Sequence, residues 1–275
     1  MRSAPGSSVW ATRRARALHL AAEVPHAEEI LSTYADLLEV QERVAEAVPV
    51  RRWLALVGGA ESGPPRLRLD RLPVGELVPL FADFLASAAD LGTDVMRADA
   101  GVLSGTPGAD WLVLFGAALS SDGPDDHPPF HVRAFLQPVA TTLAAAEGEG
   151  VGGPRGGRCF VCGGAPAVGA LQDLPNALGS RSLTCAVCGS AWRLARLLCA
   201  HCGEDDAEKL AVHTAESLPW VRLDECRSCG RYLKTMDLRR RGDAVPLVDD
   251  LATVELDLWA RERGLTRVQE NLFGL

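Results

Sequence analysis

Apolar residues in the first half of the chain recur at the spacing of an α-helix. Across residues 27–48, Ile30, Tyr34 and Leu37 fall on one stripe with polar residues between them. Apolar faces predict two more helices, at residues 74–91 and 129–146, and an apolar run without polar alternation predicts a buried helix at residues 111–119. The first 146 residues are therefore predicted to form a helical domain.

A last helix is predicted at residues 249–263, because apolar residues before and within this stretch share one face. These are Leu247, Leu251, Val254 and Leu258. We expect the four carboxylates of this segment to cap the helix and form a solvated face. They are Asp249, Asp250, Glu255 and Asp257.

Eight cysteines, all between residues 159 and 229, form four Cys-x-x-Cys pairs, each followed by glycine. The pairs are Cys159/Cys162, Cys185/Cys188, Cys199/Cys202 and Cys226/Cys229. Glycine adopts positive φ at low cost, so a Cys-x-x-Cys-Gly turn points two thiolates at one metal ion. Two such turns complete a four-thiolate site. The sequence therefore predicts two metal sites with all eight cysteines as ligands.

The spacing of the pairs favours joining neighbours along the chain. Cys162 and Cys185 are separated by 22 residues and Cys202 and Cys226 by 23, which indicates a duplicated module. Joining the two inner pairs instead would leave the outer pairs to close a loop of over 60 residues, at a greater cost in entropy. We therefore predict four-cysteine modules at residues 159–197 and 198–275, the second including the last helix.

Three other uses of the cysteines are weighed against a single bound ion. Structural disulfides need an oxidising compartment, and a thioredoxin-like dithiol needs one Cys-x-x-Cys pair rather than four. An iron–sulfur cluster is possible, although two paired turns favour a single ion. Zinc and iron bind four thiolates in the same geometry, so both metals remain open.

A glycine-rich stretch at residues 147–158 is predicted to be a linker between the helical domain and the cysteine modules. Residues 1–150 contain 12 basic and 20 acidic side chains, and residues 151–275 contain 16 of each. The net charge of −8 therefore arises in the first half and disfavours nucleic-acid binding. No apolar run approaches the ~20 residues of a membrane span. No secretory signal is apparent, so a cytoplasmic location is expected.

Residues beyond the cysteines carry a resemblance to a known family. They include Trp192, Arg193 and Arg196 after the second cysteine pair, and Tyr232-Leu-Lys-Thr235 after the fourth. Asp249-Asp250-Leu-Ala252 and Asn271-Leu-Phe273 follow near the end. With the cysteine turns, these motifs resemble the formate dehydrogenase accessory protein family, FdhE. The family often has an acidic residue where this chain has Ala191, so we assign no role to a carboxylate there.

The resemblance implies a cytoplasmic maturation factor that has a helical N-terminal domain and two rubredoxin-like modules, and that is not an enzyme. It also implies iron as the metal and the catalytic subunit of a formate dehydrogenase as the partner. The fold class expected is α plus small β: helices, two tandem rubredoxin-like or zinc-ribbon-like modules, and a C-terminal helix. The alternatives are a rubredoxin-like redox carrier and a zinc-ribbon nucleic-acid-binding protein.

Residues flanking the cysteine turns are expected to be exposed and to contact the partner. The candidates are Trp192, Arg193, Arg196, Tyr232 and Lys234. For Trp192 and Tyr232, packing against the metal loops is an equally good interpretation.

Overall fold

The structure is a computed structural model that describes residues 8–58, 63–120, 128–148 and 156–275. Its first part is helical, as predicted. The helices are α1 Val9–Glu23, α2 Glu28–Ala47, α3 Val50–Val57, α4 Val74–Ala88, α5 Asp94–Ser104, α6 Gly108–Ser120 and α7 Phe130–Glu147. Four of them, α2, α4, α6 and α7, confirm the predicted helices.

The helical core forms around α7, which buries most of its length against the other helices. Phe81 of α4 lies at its centre, with its ring centroid 5.2 Å from that of Phe115 and 5.1 Å from that of Phe135. All three rings are fully buried. Aromatic pairs at these separations contribute beyond their buried area, so this cluster holds α4, α6 and α7 together.

The second part is a seven-stranded sheet. Its strands are β1 Pro166–Leu174, β2 Ala177–Cys185, β3 Ala191–Arg193, β4 Leu210–Thr214, β5 Val221–Cys226, β6 Arg231–Asp237 and β7 Thr266–Arg267. The order is β3-β2-β1-β6-β5-β4, and β7 pairs with β6. Strands β1–β3 belong to the first cysteine module and β4–β6 to the second.

The two modules are joined by a parallel pairing between β1 and β6, in which Gly169 lies opposite Thr235. A Cβ atom at residue 169 would lie 2.5 Å from the Thr235 Oγ1 atom, so only glycine allows this close approach. The tandem modules therefore share one continuous sheet.

The predicted last helix is present, but it is divided. Helix α8 covers Pro246–Asp249 and α9 covers Val254–Glu262, with a 3-10 turn at Leu251–Thr253 between them. The expectation of a solvated acidic face is wrong for Asp249, Asp250 and Asp257, since each is at most 1% exposed. Their basic partners come from other segments and are described below.

The helices and the sheet pack against each other through one hydrophobic core that includes Phe160, Val161 and Trp192. Backbone hydrogen bonds also cross between the two parts: the Leu67 N–H donates to the Val161 carbonyl oxygen at 2.7 Å. Of the predicted linker, residues 149–155 lie outside the described residues. The helical part and the sheet are thus joined by packing as well as by the chain.

Candidate metal centres

The structure brings the eight cysteines together as two clusters in the predicted sequential pairing. One cluster is Cys159, Cys162, Cys185 and Cys188, and the other is Cys199, Cys202, Cys226 and Cys229. Within each cluster, the four Sγ atoms lie within 4.8 Å of one another. His201 is exposed and belongs to neither cluster, as expected.

The separations between sulfur atoms fit one tetrahedrally coordinated ion. The Sγ atoms of Cys159 and Cys188 are 3.7 Å apart, and those of Cys199 and Cys229 are 3.8 Å apart. Four sulfurs bound at about 2.3 Å to one ion lie about 3.8 Å from each other. A disulfide would need a separation of about 2.05 Å, and all eight cysteines are free. The geometry therefore favours a single ion over disulfides.

Each cysteine turn is closed in the same way. In the first cluster, the Gly163 N–H donates to the Cys159 carbonyl oxygen at 2.8 Å. In the second, the Gly230 N–H donates to the Cys226 carbonyl oxygen at 2.9 Å. The glycine after every pair has positive φ, between 67° and 81°, which confirms the reason for its position. The turns therefore present both thiols of each pair on one side.

The two clusters differ in burial, and hydrogen bonds from the neighbouring thiols lower the pKa of the Cys159 thiol. Burial raises the pKa of the Cys185 thiol and of the Cys226 thiol. Four thiolates at such short separations would repel one another, and a bound cation would stabilise them. Three cysteines of the first cluster are buried, whereas Cys202 of the second is exposed. The second cluster is therefore the more accessible of the two.

The residues predicted to contact a partner fall into two groups. Arg193 and Arg196 are exposed, as expected. Trp192, Tyr232 and Lys234 are 3%, 1% and 0% exposed, so the expectation that they lie on the surface is wrong. Trp192 donates through its indole N–H to the Gly156 carbonyl oxygen at 3.3 Å, in agreement with the packing interpretation.

Lys234 belongs to a buried network of charges that the sequence analysis missed. Its ammonium group donates to an Asp257 carboxylate oxygen at 2.5 Å and lies 3.1 Å from an Asp250 carboxylate oxygen. Arg267 donates to both aspartates, at 2.5 Å to Asp250 and 3.2 Å to Asp257. The Tyr232 hydroxyl donates to Asp257 at 2.9 Å. Strand β6, α9 and β7 are thereby tied together.

The network sets the charge state of its members. Burial alone would raise the pKa of Asp250, but the charges of Arg267 and Lys234 outweigh it and lower that pKa. Burial and the neighbouring Asp257 carboxylate raise the pKa of Tyr232. An ionised aspartate thus faces two cations, and the tyrosine stays a hydrogen-bond donor.

Two more contacts extend this network towards the helices. Arg16 of α1 donates to Asp249 at 2.9 Å, although 233 residues separate them. The Asn271 side-chain amide donates to Asp250 at 2.9 Å. Motifs that carry the family resemblance, from Tyr232-Leu-Lys to Asn271, therefore meet at one place beside the second cluster.

Comparisons with known proteins agree with this picture. A model of the FdhE C-terminal domain matches residues 197–273, which include the second cluster and the buried network. The FdhE homolog of Aquifex aeolicus (strain VF5) is 31% identical over 212 residues, or 77% of this chain and 75% of the relative. The chain belongs to the FdhE family.

The likeness to FdhE proteins extends over the helices. The crystal structure of the FdhE protein from Pseudomonas aeruginosa matches with a TM-score of 0.76 and 27% identity, covering 96% of this chain and 95% of that one. An FdhE homolog from Haemophilus influenzae (strain PittGG) is 37% identical over 116 residues, which are 42% of this chain and 37% of the relative. The resemblance seen in the sequence is therefore confirmed, and the helical part shares the FdhE architecture.

Proposed function

We propose that this protein is a non-enzymatic cytoplasmic accessory protein that binds the catalytic subunit of a formate dehydrogenase and is needed for assembly of the active enzyme. The observation that carries the proposal is the match to FdhE proteins over nearly the whole chain. Among the described residues, no helix is both long and apolar enough to cross a membrane.

In this proposal each cysteine cluster holds one metal ion, iron or zinc. All eight cysteines serve as ligands, and the ion compensates the charge of the thiolates and fixes the turns that carry them. Four cysteines leave no coordination position open to a substrate, which supports a structural role for the metal over a catalytic one.

Arg193 and Arg196 remain candidates for contacting the partner, because both side chains are exposed beside the cysteine turns. Trp192, Tyr232 and Lys234 act through the fold instead, since their side chains are buried. The proposed role of Lys234 is therefore to hold β6 against α9.

Affinity purification from the native organism tests the proposal. The tagged chain should retain the catalytic subunit of a formate dehydrogenase, and deleting its gene should abolish formate oxidation in cell extracts. The purified protein should have no formate-oxidising activity of its own. Wild-type formate oxidation in the deletion strain, with no subunit retained by the tagged chain, would contradict the proposal.

A further inference from the structure

Two arginines from distant parts of the chain meet above Gly179, near the start of β2. A Cβ atom on Gly179 would lie 3.2 Å from an Arg196 guanidinium nitrogen and 3.1 Å from one of Arg239. The two guanidinium groups therefore approach within about 6 Å of each other. Like charges this close repel, so an anion placed between them would be stabilised.

The topology of the sheet explains why these segments meet. Strand β6 runs parallel to β1, so residues 238–241 leave the sheet beside the β1–β2 turn. The Leu238 N–H donates to the Leu171 carbonyl oxygen at 2.9 Å, which fixes this placement. Strand β3 runs antiparallel to β2, so the residues after Arg193 return towards the same turn. The β1–β2 turn, the residues after β3 and the residues after β6 therefore lie together at one end of the strands.

We call this surface the arginine edge. It comprises Arg196 and Arg239, which converge on Gly179, together with Arg193 of β3 and the neighbouring Leu178 and Leu197. Leu178 is 79% exposed and Leu197 is 60% exposed, so the surface also offers apolar area.

The arginine edge has more positive than negative charge. Within the described part of the chain, Arg193 and Arg196 form no ion pair with a carboxylate within 4.0 Å. Arg239 pairs with Asp237 at 2.6 Å, whereas Arg240 donates to the Pro219 carbonyl oxygen, before β5, at 2.9 Å. The other acidic group here is Asp173, whose carboxylate accepts a hydrogen bond from the Gly179 N–H at 2.6 Å. Three cations therefore face two carboxylates.

We propose that the arginine edge binds an acidic, leucine-containing segment of the formate dehydrogenase catalytic subunit. This inference rests on the proposed function and adds the chemistry of the contact. Guanidinium groups bind carboxylates through paired hydrogen bonds, and exposed leucines favour a polypeptide over a nucleic-acid backbone. The overall charge of −8 further opposes binding of a long polyanion.

A pair of matched double variants tests the proposal in the full-length, metal-replete protein. Arg196→Ala/Arg239→Ala removes the convergent pair, and Arg43→Ala/Arg51→Ala removes two exposed arginines from the helical part. Biolayer interferometry with the purified catalytic subunit should show about tenfold weaker binding for the first variant and a smaller dependence on salt. The control should bind like the wild type, and both variants should remain folded by circular dichroism. Equal binding by both variants would contradict the proposed role of the arginine edge without contradicting the proposed function.

A second measurement does not require the formate dehydrogenase catalytic subunit. A fluorescein-labelled peptide of alternating glutamate and leucine should bind the wild type and the control, and bind Arg196→Ala/Arg239→Ala about tenfold more weakly, by fluorescence anisotropy. Tighter binding of a single-stranded oligonucleotide of equal charge would overturn the choice of a peptide. So would self-association of the wild type that the double variant abolishes in analytical ultracentrifugation.

Discussion

The ammonium group of Lys234 is fully buried and surrounded by oxygen atoms. It donates to the Asp250 and Thr253 carbonyl oxygens at 2.8 and 3.2 Å as well as to Asp257. Removing one member of such a network leaves its partners buried with uncompensated charge or an unmade hydrogen bond.

Replacing Lys234 with methionine should therefore lower the free energy of unfolding by about 3–5 kcal/mol. The side chains are of similar length, so the loss comes from charge rather than from volume. Thermal unfolding of the metal-replete protein, followed by circular dichroism, measures it. Arg43→Met, an exposed basic position on α2, should change stability by no more than about 0.5 kcal/mol. Similar melting temperatures for the two variants would show that the buried network does not stabilise the fold.

The metal-binding cysteines and the buried charged residues differ in how well they can be predicted from the sequence. The cysteine clusters are predictable because each pair sits in a local turn and has partners of the same residue type. The buried aspartates are not, because Asp249 depends on Arg16, which is 233 residues away. In local sequence these carboxylates look the same as solvated ones. Their burial is tolerable because of tertiary pairing and, for Asp249, a local hydrogen bond from the Val245 N–H at 2.7 Å.

The cysteine turns are elements whose exposure differs between the two modules. In the first cluster, Cys162 is the only member that is not buried, whereas the second has the exposed Cys202 and the half-buried Cys229. A chelator or an alkylating reagent reaches a metal site through its accessible thiolates.

We expect the protein to hold two ions per chain and to release the ion of the second cluster to a chelator first. Iodoacetamide added at intermediate times, followed by peptide mapping, should label the cysteines from 199 to 229 before those from 159 to 188. Protein unfolded in denaturant is the control, in which both sets should label together. Earlier labelling of the first set would contradict the assignment of the more accessible site.

Helices and strands are predictable to different extents for similar reasons. Helix α2 has a regular apolar stripe. The buried face of α1 includes Arg13 and Arg16, so its sequence shows no such stripe. Helix α3 has only eight residues, too few for a clear period. The pairing of β1 with β6 joins segments more than 60 residues apart, and no local pattern encodes it.

At the scale of the whole molecule, the helices and the sheet should behave as one body. Their shared core includes Phe160 and Trp192, and buried ion pairs such as Arg16–Asp249 cross between them. Separating the two parts would expose this apolar surface and leave the buried charges without partners.

A protease site inserted between Gly148 and Gly156 tests this cohesion. After cleavage, the two fragments should co-elute from a gel-filtration column and unfold in a single calorimetric transition. The uncut protein with the same insertion is the control. Fragments that elute separately under native conditions would show that the linker, rather than the packing, holds the two parts together.

The packing of residues 271–273 has a consequence for the order of events during synthesis. The Phe273 ring lies 5.9 Å from that of Tyr34 on α2 and 5.3 Å from that of Phe130 on α7. The Arg133 side chain donates to the Asn271 carbonyl oxygen at 3.0 Å. The helices leave the ribosome first, but part of their apolar surface is covered only by residues that are translated much later. Until then, the nascent helices expose apolar surface, so this fold completes only after translation has passed Phe273.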